Sequence, residues 1–184
     1  ETPYQTPYQT PSVDIKANGS DSTSIPWNTS ANLSWSSSNV GSCNASGDWS
    51  GSKPLSGSES TGNLTQIKTY NYSLTCTGGS ASDSVAVNVN APTPSSSNVT
   101  VTEPNYCASG PAATTEWTFS DPSGSSQSAY QVQIDDQGSF STPEWDSGKV
   151  ACGGCRSNAT PQGYLSFNTT YKARVRVWNG YDVV

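Results

Sequence analysis

Between Leu165 and Trp178 the chain reads LSFNTTYKARVRVW, and the end of this run alternates strictly. Tyr171, Ala173, Val175 and Val177 fall on one side of an extended chain and Lys172, Arg174 and Arg176 on the other, because successive strand side chains point to opposite faces. That pattern predicts a half-buried strand. The same two-residue period recurs at Val13, Ile15 and Ala17, at Ala31, Leu33 and Trp35, at Tyr70, Tyr72, Leu74 and Cys76, and at Val85, Val87 and Val89. Thr115, Trp117 and Phe119 repeat it, as do Tyr130, Val132 and Ile134. Turn pairs such as Asn18-Gly19 and Gly78-Gly79 break the runs at short intervals, the spacing expected of a β-sandwich. Met is absent, Leu is scarce, and few windows carry a helical period, so the class is all-β.

A boundary follows from composition. Ala91–Ser97 reads APTPSSS, a short stiff linker in which Pro92 and Pro94 limit bending. It separates an expected domain at 13–90 from one at 98–184, each able to bury one modest core. The preceding segment, 1–12, opens ETPYQTPYQTP, with prolines every four residues. It reads either as a polyproline-type linker or as a strand whose prolines all lie at alternate positions. In a strand, Thr2, Tyr4, Thr6, Tyr8 and Thr10 keep their N–H groups, so the segment could pair along one side or be donated to another subunit.

Two resemblances sharpen this. The run Leu165-x-Phe167-x-Thr169-x-Tyr171, followed by Val175 and Val177, resembles the penultimate strand of fibronectin type III and related immunoglobulin-like domains, in which a Leu opens a turn and a Tyr closes the corner. Trp117, Tyr130, Leu165 and Tyr171 keep that order across the second half. The resemblance implies a further strand beside this one, yet only Asn179 to Val184 follow. Either the sequence is a fragment or the last strand comes from elsewhere. In the first half, SANLSWSSSNVGSCNASGDWSGS and NYSLTCTGGSASDSVAVNV resemble a bacterial immunoglobulin-like module that is repeated in large surface proteins. That resemblance implies a Cys43–Cys76 bridge with Trp35 packed nearby. The whole chain is therefore expected to be two immunoglobulin-like or fibronectin III-like β-sandwich domains in tandem.

The chemistry open to such a chain is narrow. No His is present, which removes Ser-His and Cys-His nucleophile activation and the commonest metal ligand together. Asp135, Asp136, Glu144 and Asp146 cluster in sequence, but a glycosidase needs its two carboxylates across a cleft, which sandwich hairpins do not form. No enzymatic activity and no cofactor is expected. Asp121-Pro122-Ser123-Gly124, and Asp14 with Asp21, are similar to calcium-bearing loops but offer too few carboxylates. Five Cys point to an oxidising compartment. Cys152-Gly153-Gly154-Cys155 reads as a loop, in which a redox pair lacks the helix start that would stabilise its thiolate and zinc lacks a fourth ligand. The favoured reading pairs Cys107 with Cys152 or Cys155, leaving an odd thiol that could cross-link a neighbouring chain.

A net charge of -6 makes nucleic acid an unfavourable partner. No apolar run reaches the length of a membrane span and no basic-then-apolar leader begins the chain, so the expectation is an extracellular or cell-surface protein without membrane insertion. Nine Asn-x-Ser/Thr triplets mark surface strands and turns. Lys172, Arg174 and Arg176 form a basic stripe, which the fibronectin-like arrangement sets beside Gln131, Gln133 and Asp135. It is either a solvated face or a patch for an acidic polymer. Two functions compete. One is a structural component, such as a filament subunit, stalk or adhesin segment. Its partners are copies of itself or neighbouring surface domains, with the edge at Tyr171, Ala173, Val175 and Val177 completed by a strand from residues 2–10. The other is a polysaccharide-binding accessory module using Trp145, Trp178, Tyr181, Arg174 and Arg176, with Trp49 a further ring that could stack on sugar.

Overall fold

The computed structural model of the chain describes residues 9–103 and 110–184. They fall into two compact units, Glu1–Ala91 and Pro92–Val184. Among the described residues there are fifteen strands and no helix. The all-β, tandem-sandwich expectation holds.

In the first unit the alternating runs become β1 (Ser12–Ala17), β3 (Asn32–Ser38), β7 (Thr69–Cys76) and β8 (Ala81–Asn90). Between them lie β2 (Ser22–Pro26), β4 (Cys43–Gly47), β5 (Gly51–Lys53) and β6 (Ser56–Ser60). One sheet has the order β1-β3-β6 and the other β2-β8-β7-β4-β5. All neighbours are antiparallel except β2 and β8, which run parallel. Asn18 and Gly19 carry the chain from one sheet to the other with φ of 51° and 82°, a conformation open to Asn and Gly but costly for branched residues.

Ile15, Leu33, Leu74 and Val87 from the two sheets are fully buried against one another. Trp35 closes one end of this core, and its indole N–H donates to the Pro54 carbonyl at 2.9 Å. Gly57 lies opposite Trp35 in the β3–β6 register. A Cβ there would come within 2.8 Å of the indole, so only glycine leaves the ring its place. Trp49 is half-buried, edge-on to Trp35 at 5.5 Å and to Tyr72 at 6.0 Å, and donates to the Ser73 carbonyl. It is a packing residue and not the exposed sugar platform expected of it.

Cys43 and Cys76 are bridged, as the resemblance implied. They face each other across the β4–β7 ladder, so the bond staples neighbouring strands of one sheet. Tying residues 33 apart stabilises the fold by about 3.8 kcal/mol in the chain-entropy model.

The second unit contains β9 (Ser95–Thr102), β10 (Thr114–Ser120) and β14 (Ser157–Ala159) in the order β14-β10-β9. Its other sheet is centred on β11 (Gln127–Asp135), with β15 (Lys172–Asn179) on one side and β12 (Trp145–Asp146) and β13 (Val150–Ala151) on the other. Because β9 starts at Ser95, the last three residues of the expected linker belong to this sandwich. Trp117, Tyr130, Val132, Ile134, Trp145, Val175 and Val177 form its core. The corner before β15 is closed by Tyr171, whose hydroxyl accepts the Ser166 N–H at 2.8 Å. Leu165 packs beside it on the core.

Candidate interaction surface

The two sides of β15 differ. On β11, the Val132 N–H donates to the Ser147 hydroxyl at 2.9 Å and its carbonyl accepts the Ser147 N–H at 3.0 Å. Val132 therefore spends both backbone groups away from β15, and its partner Val175 is in a pair that exchanges no ladder hydrogen bonds. By alternation, the N–H and C=O groups of Ala173, Val175 and Val177 point to the outer edge. Ser96 of β9 donates its hydroxyl to the Val175 carbonyl at 2.9 Å. At the far end the Asn179 N–H donates to Val183 at 3.2 Å, across a turn in which Asp182 has φ 61°. The edge is thus touched at two points by the unit's own residues. Among the described residues no hydrogen bond reaches the outward groups of Ala173 or Val177. Of the expected donated segment, Thr10 is exposed and gives its carbonyl to Asn39 at 3.0 Å. Thr2, Tyr4, Thr6 and Tyr8 lie outside the described residues.

Asn179 organises the end of that edge. Fully buried, it donates to Pro92 O at 3.0 Å and to Asp121 Oδ2 at 2.9 Å, and its Oδ1 accepts the N–H groups of Tyr181 at 3.0 Å and Val183 at 3.1 Å. Partial burial pushes the Asp121 carboxyl up, but donors from Ser123, Asn179 and the Ser123 and Ser125 amides outweigh it and hold the group below the usual carboxylate range. Asn179 was not singled out in the sequence. The Asn-Gly pair that follows the last alternating run was the available signal.

The outer face of the sheet bears out the expected cross-strand pairing: Gln131 sits opposite Arg176, Gln133 opposite Arg174 and Asp135 opposite Lys172. The two glutamines act as relays. Gln131 Nε2 donates to both Asp146 oxygens at 2.8 and 3.0 Å, and Gln133 Nε2 to one of them at 2.7 Å. Gln133 Oε1 accepts from Arg174 Nε at 3.0 Å and from its Nη2. Gln131 Oε1 accepts from Arg176 at 3.5 Å. Burial raises the Asp146 pKa, but the Gln131, Gly148 and Gln133 donors and the Arg176 charge bring it below its ordinary value. Arg174 also lies over the Phe140 ring at 4.6 Å. Among the described residues Lys16, Lys53, Lys68 and Lys149 form ion pairs, and the three cations of β15 form none.

The aromatic candidates do not make one platform. Trp145 is 8% exposed and belongs to the core, because β12 turns it inward against β11. Trp178 is half-buried under the Lys149 ammonium at 4.9 Å, and Lys149 in turn pairs with Asp182. Tyr181 is 51% exposed.

The remaining carboxylates are held by the protein. Asp135 is buried and accepts the Gly138 and Phe140 amides, while Glu144 accepts the Asp136 N–H at 2.8 Å. These three carboxylates converge within 4.8 Å. Desolvation first, then Glu144 and Asp135, push the Asp136 carboxyl up. Asp146 faces glutamines where a glycosidase needs a second carboxylate. Asp14 and Asp21 both pair with Lys16, and Asp121 is filled by serines and Asn179.

One cysteine expectation is overturned. Cys152 and Cys155 are bonded to each other across Gly153-Gly154, with Cα atoms 5.6 Å apart, so neither is left for Cys107, which lies outside the described residues. The two glycines let the chain fold back within four residues. Closing so short a loop stabilises by only about 1.9 kcal/mol. A residue the sequence did not reveal holds this loop. Gln127 is 3% exposed, and its Nε2 donates to the Cys152 and Cys155 carbonyls at 2.9 and 3.0 Å, while its Oε1 accepts the Trp117 indole N–H at 3.1 Å.

Comparison with known proteins agrees with this architecture for the second unit. Residues 106–183 match the family model described as the Rha78A-like, N-terminal immunoglobulin domain. The second unit is thus similar to an immunoglobulin-like module, and among the described residues both units are built of β-sheets alone. No curated protein matches the chain. Among solved structures it is similar to domains A168-A170 of titin, at 16% identity and TM-score 0.41, covering 92% of this chain and 61% of that one. It is also similar to three N-terminal domains of the highly immunogenic outer capsid protein of bacteriophage RB49, at 11% identity and TM-score 0.36, covering 92% and 63%. A third is β-glucuronidase 3 of Bacteroides uniformis, at 11% identity and TM-score 0.34, covering 95% of this chain and 24% of that one. The chain spans less than two thirds of the length of each.

Proposed function

We propose that the chain is a non-enzymatic structural part of an extracellular or cell-surface assembly, such as a filament subunit, a stalk or an adhesin segment, whose second module accepts a strand along β15. The observation that carries this reading is the outer border of β15, where Ala173 and Val177 turn backbone groups outward on either side of the Ser96 contact at Val175. A strand laid there would gain main-chain hydrogen bonds, and its alternate side chains would set the fit. Residues 2–10 of a second copy suit that role, because their prolines share one parity and leave the other parity free to donate. Head-to-tail contacts of this kind build fibres wherever the rotation between copies does not close a ring. The two disulfides fit an oxidising, extracellular setting. Among the described residues no helix is long and apolar enough to cross a membrane.

Electron microscopy and sedimentation of the whole chain, beside a form lacking residues 1–11, test the proposal. Fibres or concentration-dependent oligomers that vanish with the deletion are the expected result. A monomer at all concentrations in both forms refutes it.

A polysaccharide-binding accessory role is the second reading. It is favoured by the guanidinium row of Arg174 and Arg176, which bonds to Gln133 and Gln131 and forms no ion pair among the described residues, on the strand that also carries Trp178, and weakened by the burial of Trp145. Glycan binding that disappears in Trp178→Ala would promote it over the first.

A further inference from the structure

The two disulfides of this chain are built differently. Cys43 and Cys76 are 0% and 1% exposed inside a continuous ladder. Cys152 and Cys155 are half-buried, and the Gly153-Gly154 link between them is exposed. A thiolate from solution can approach the second pair without the sandwich opening, and the first only after it opens.

The CGGC loop is also pinned by bonds that do not involve sulfur. The Cys152 N–H donates to the Ser128 carbonyl at 2.9 Å, and the Arg156 carbonyl accepts the Trp117 N–H at 3.0 Å, so both ends are fixed to strands β11 and β10. Between these anchors Gln127 grips the carbonyls of both cysteines. It is held in turn by the Trp117 indole. Gly153 lies so close to β11 that a Cβ would come within 3.1 Å of the Gln127 carbonyl. Arg156 donates to the Gly153 and Cys155 carbonyls at 3.3 and 2.7 Å, which sets a fixed positive charge on the loop.

None of these contacts is made through sulfur, so breaking the sulfur bond removes none of them directly. The two thiols would stay within reach of each other, held as an intramolecular pair.

We propose that Cys152–Cys155 is a thiol-exchange site, opened by external thiols and re-closed while the module stays folded. An incoming thiolate attacks one sulfur and forms a mixed disulfide, and the other cysteine leaves as a thiolate that takes a proton from solvent. A second thiolate, or the second arm of a dithiol, then attacks the mixed disulfide and is released as the external disulfide. Two electrons pass from the external thiols to the cysteine pair, and two protons end on Cys152 and Cys155. The Arg156 charge draws the attacking anion and favours the departing one. The reaction is independent of the β15 edge and of any strand bound there.

The test treats the whole folded chain with dithiothreitol, alkylates with iodoacetamide and maps labelled peptides over time. Labelling of Cys152 and Cys155 should outpace that of Cys43 and Cys76 by about a hundredfold or more, because the buried pair waits for opening of the fold. The strand signal in circular dichroism and the Trp117 indole resonance should persist. Oxidised glutathione should then restore the bond. Arg156→Gln should slow opening by about two- to fivefold at low salt. Gln127→Leu should slow re-closure by about tenfold. Should Gln127→Leu fail to fold, the labelling ratio in the unaltered chain still decides. Equal labelling of all four cysteines, or loss of the Trp117 resonance when Cys152–Cys155 opens, overturns the proposal.

Discussion

Replacing Asn179 with alanine removes four hydrogen bonds from a site with no solvent exposure. Two are donated to Pro92 and Asp121, and two are accepted from Tyr181 and Val183. At about 1 kcal/mol net for each, the loss sums to about 4 kcal/mol. Tyr181 is exposed and Val183 half-buried, so water recovers part of it and the expected cost is about 3 kcal/mol. For a unit of this size that lowers the thermal midpoint by about 12–24 °C. Part of the effect passes through Asp121. Its folded-state pKa is depressed, so its contribution is present above the ordinary carboxylate value of about 3.9 and is lost as pH falls through the folded value. Removing the Asn179 donor moves that pKa back up. The gap between wild type and variant should therefore be widest near neutral pH and narrow below about pH 4. Urea titrations at both pH values, followed through the Trp117 and Trp145 indole resonances, report on this unit. A neutral-pH loss under about 1 kcal/mol, or a gap that does not change with pH, refutes the reasoning.

Other perturbations follow from single contacts. Converting Cys43 and Cys76 together to alanine should lower the stability of the first unit by about 3.8 kcal/mol, seen as a lower urea midpoint. Gly47→Ala should be among the most damaging single changes, at about 2–4 kcal/mol. Its φ is +94° and a Cβ would meet the Asn71 carbonyl at 2.3 Å, so thermal melting should shift sharply where a surface Gly19→Ala moves it less. Tyr171→Phe keeps the ring and loses the Ser166 bond, with an expected cost of about 1 kcal/mol and faster exchange of the Ser166 amide.

Legibility in the sequence tracked how many residues carried a given signal. The seven-residue alternation from Tyr171 to Val177 was long enough to set strand and faces; the neighbourhood of Gln131 and Gln133 came from the fibronectin-like resemblance, and the register that puts them opposite Arg176 and Arg174 is fixed only by the ladder itself. Trp145 was misread because β12 is two residues long, too short to show parity. The β6 strand has no buried residue; its register rests on hydrogen bonds to β3 and on Gly57 fitting under Trp35, neither of which leaves a periodic trace. The pairing of Cys152 with Cys155 depends on where β10 and β11 bring the loop ends. Gln127 is a single buried amide whose role exists only once Trp117 and the CGGC carbonyls surround it.

The Cys43–Cys76 staple has a mechanical consequence. In the first unit β2, its second strand, runs parallel to β8, its last, so once β1 has parted from β3 a pull on the two ends of the unit loads the β2–β8 hydrogen bonds side by side and not one after another. Once that clamp yields, the 33-residue span between the bridged cysteines cannot pay out. A stretched module therefore gives up about 110 Å less length than its residue count allows, so its extension under load stays short.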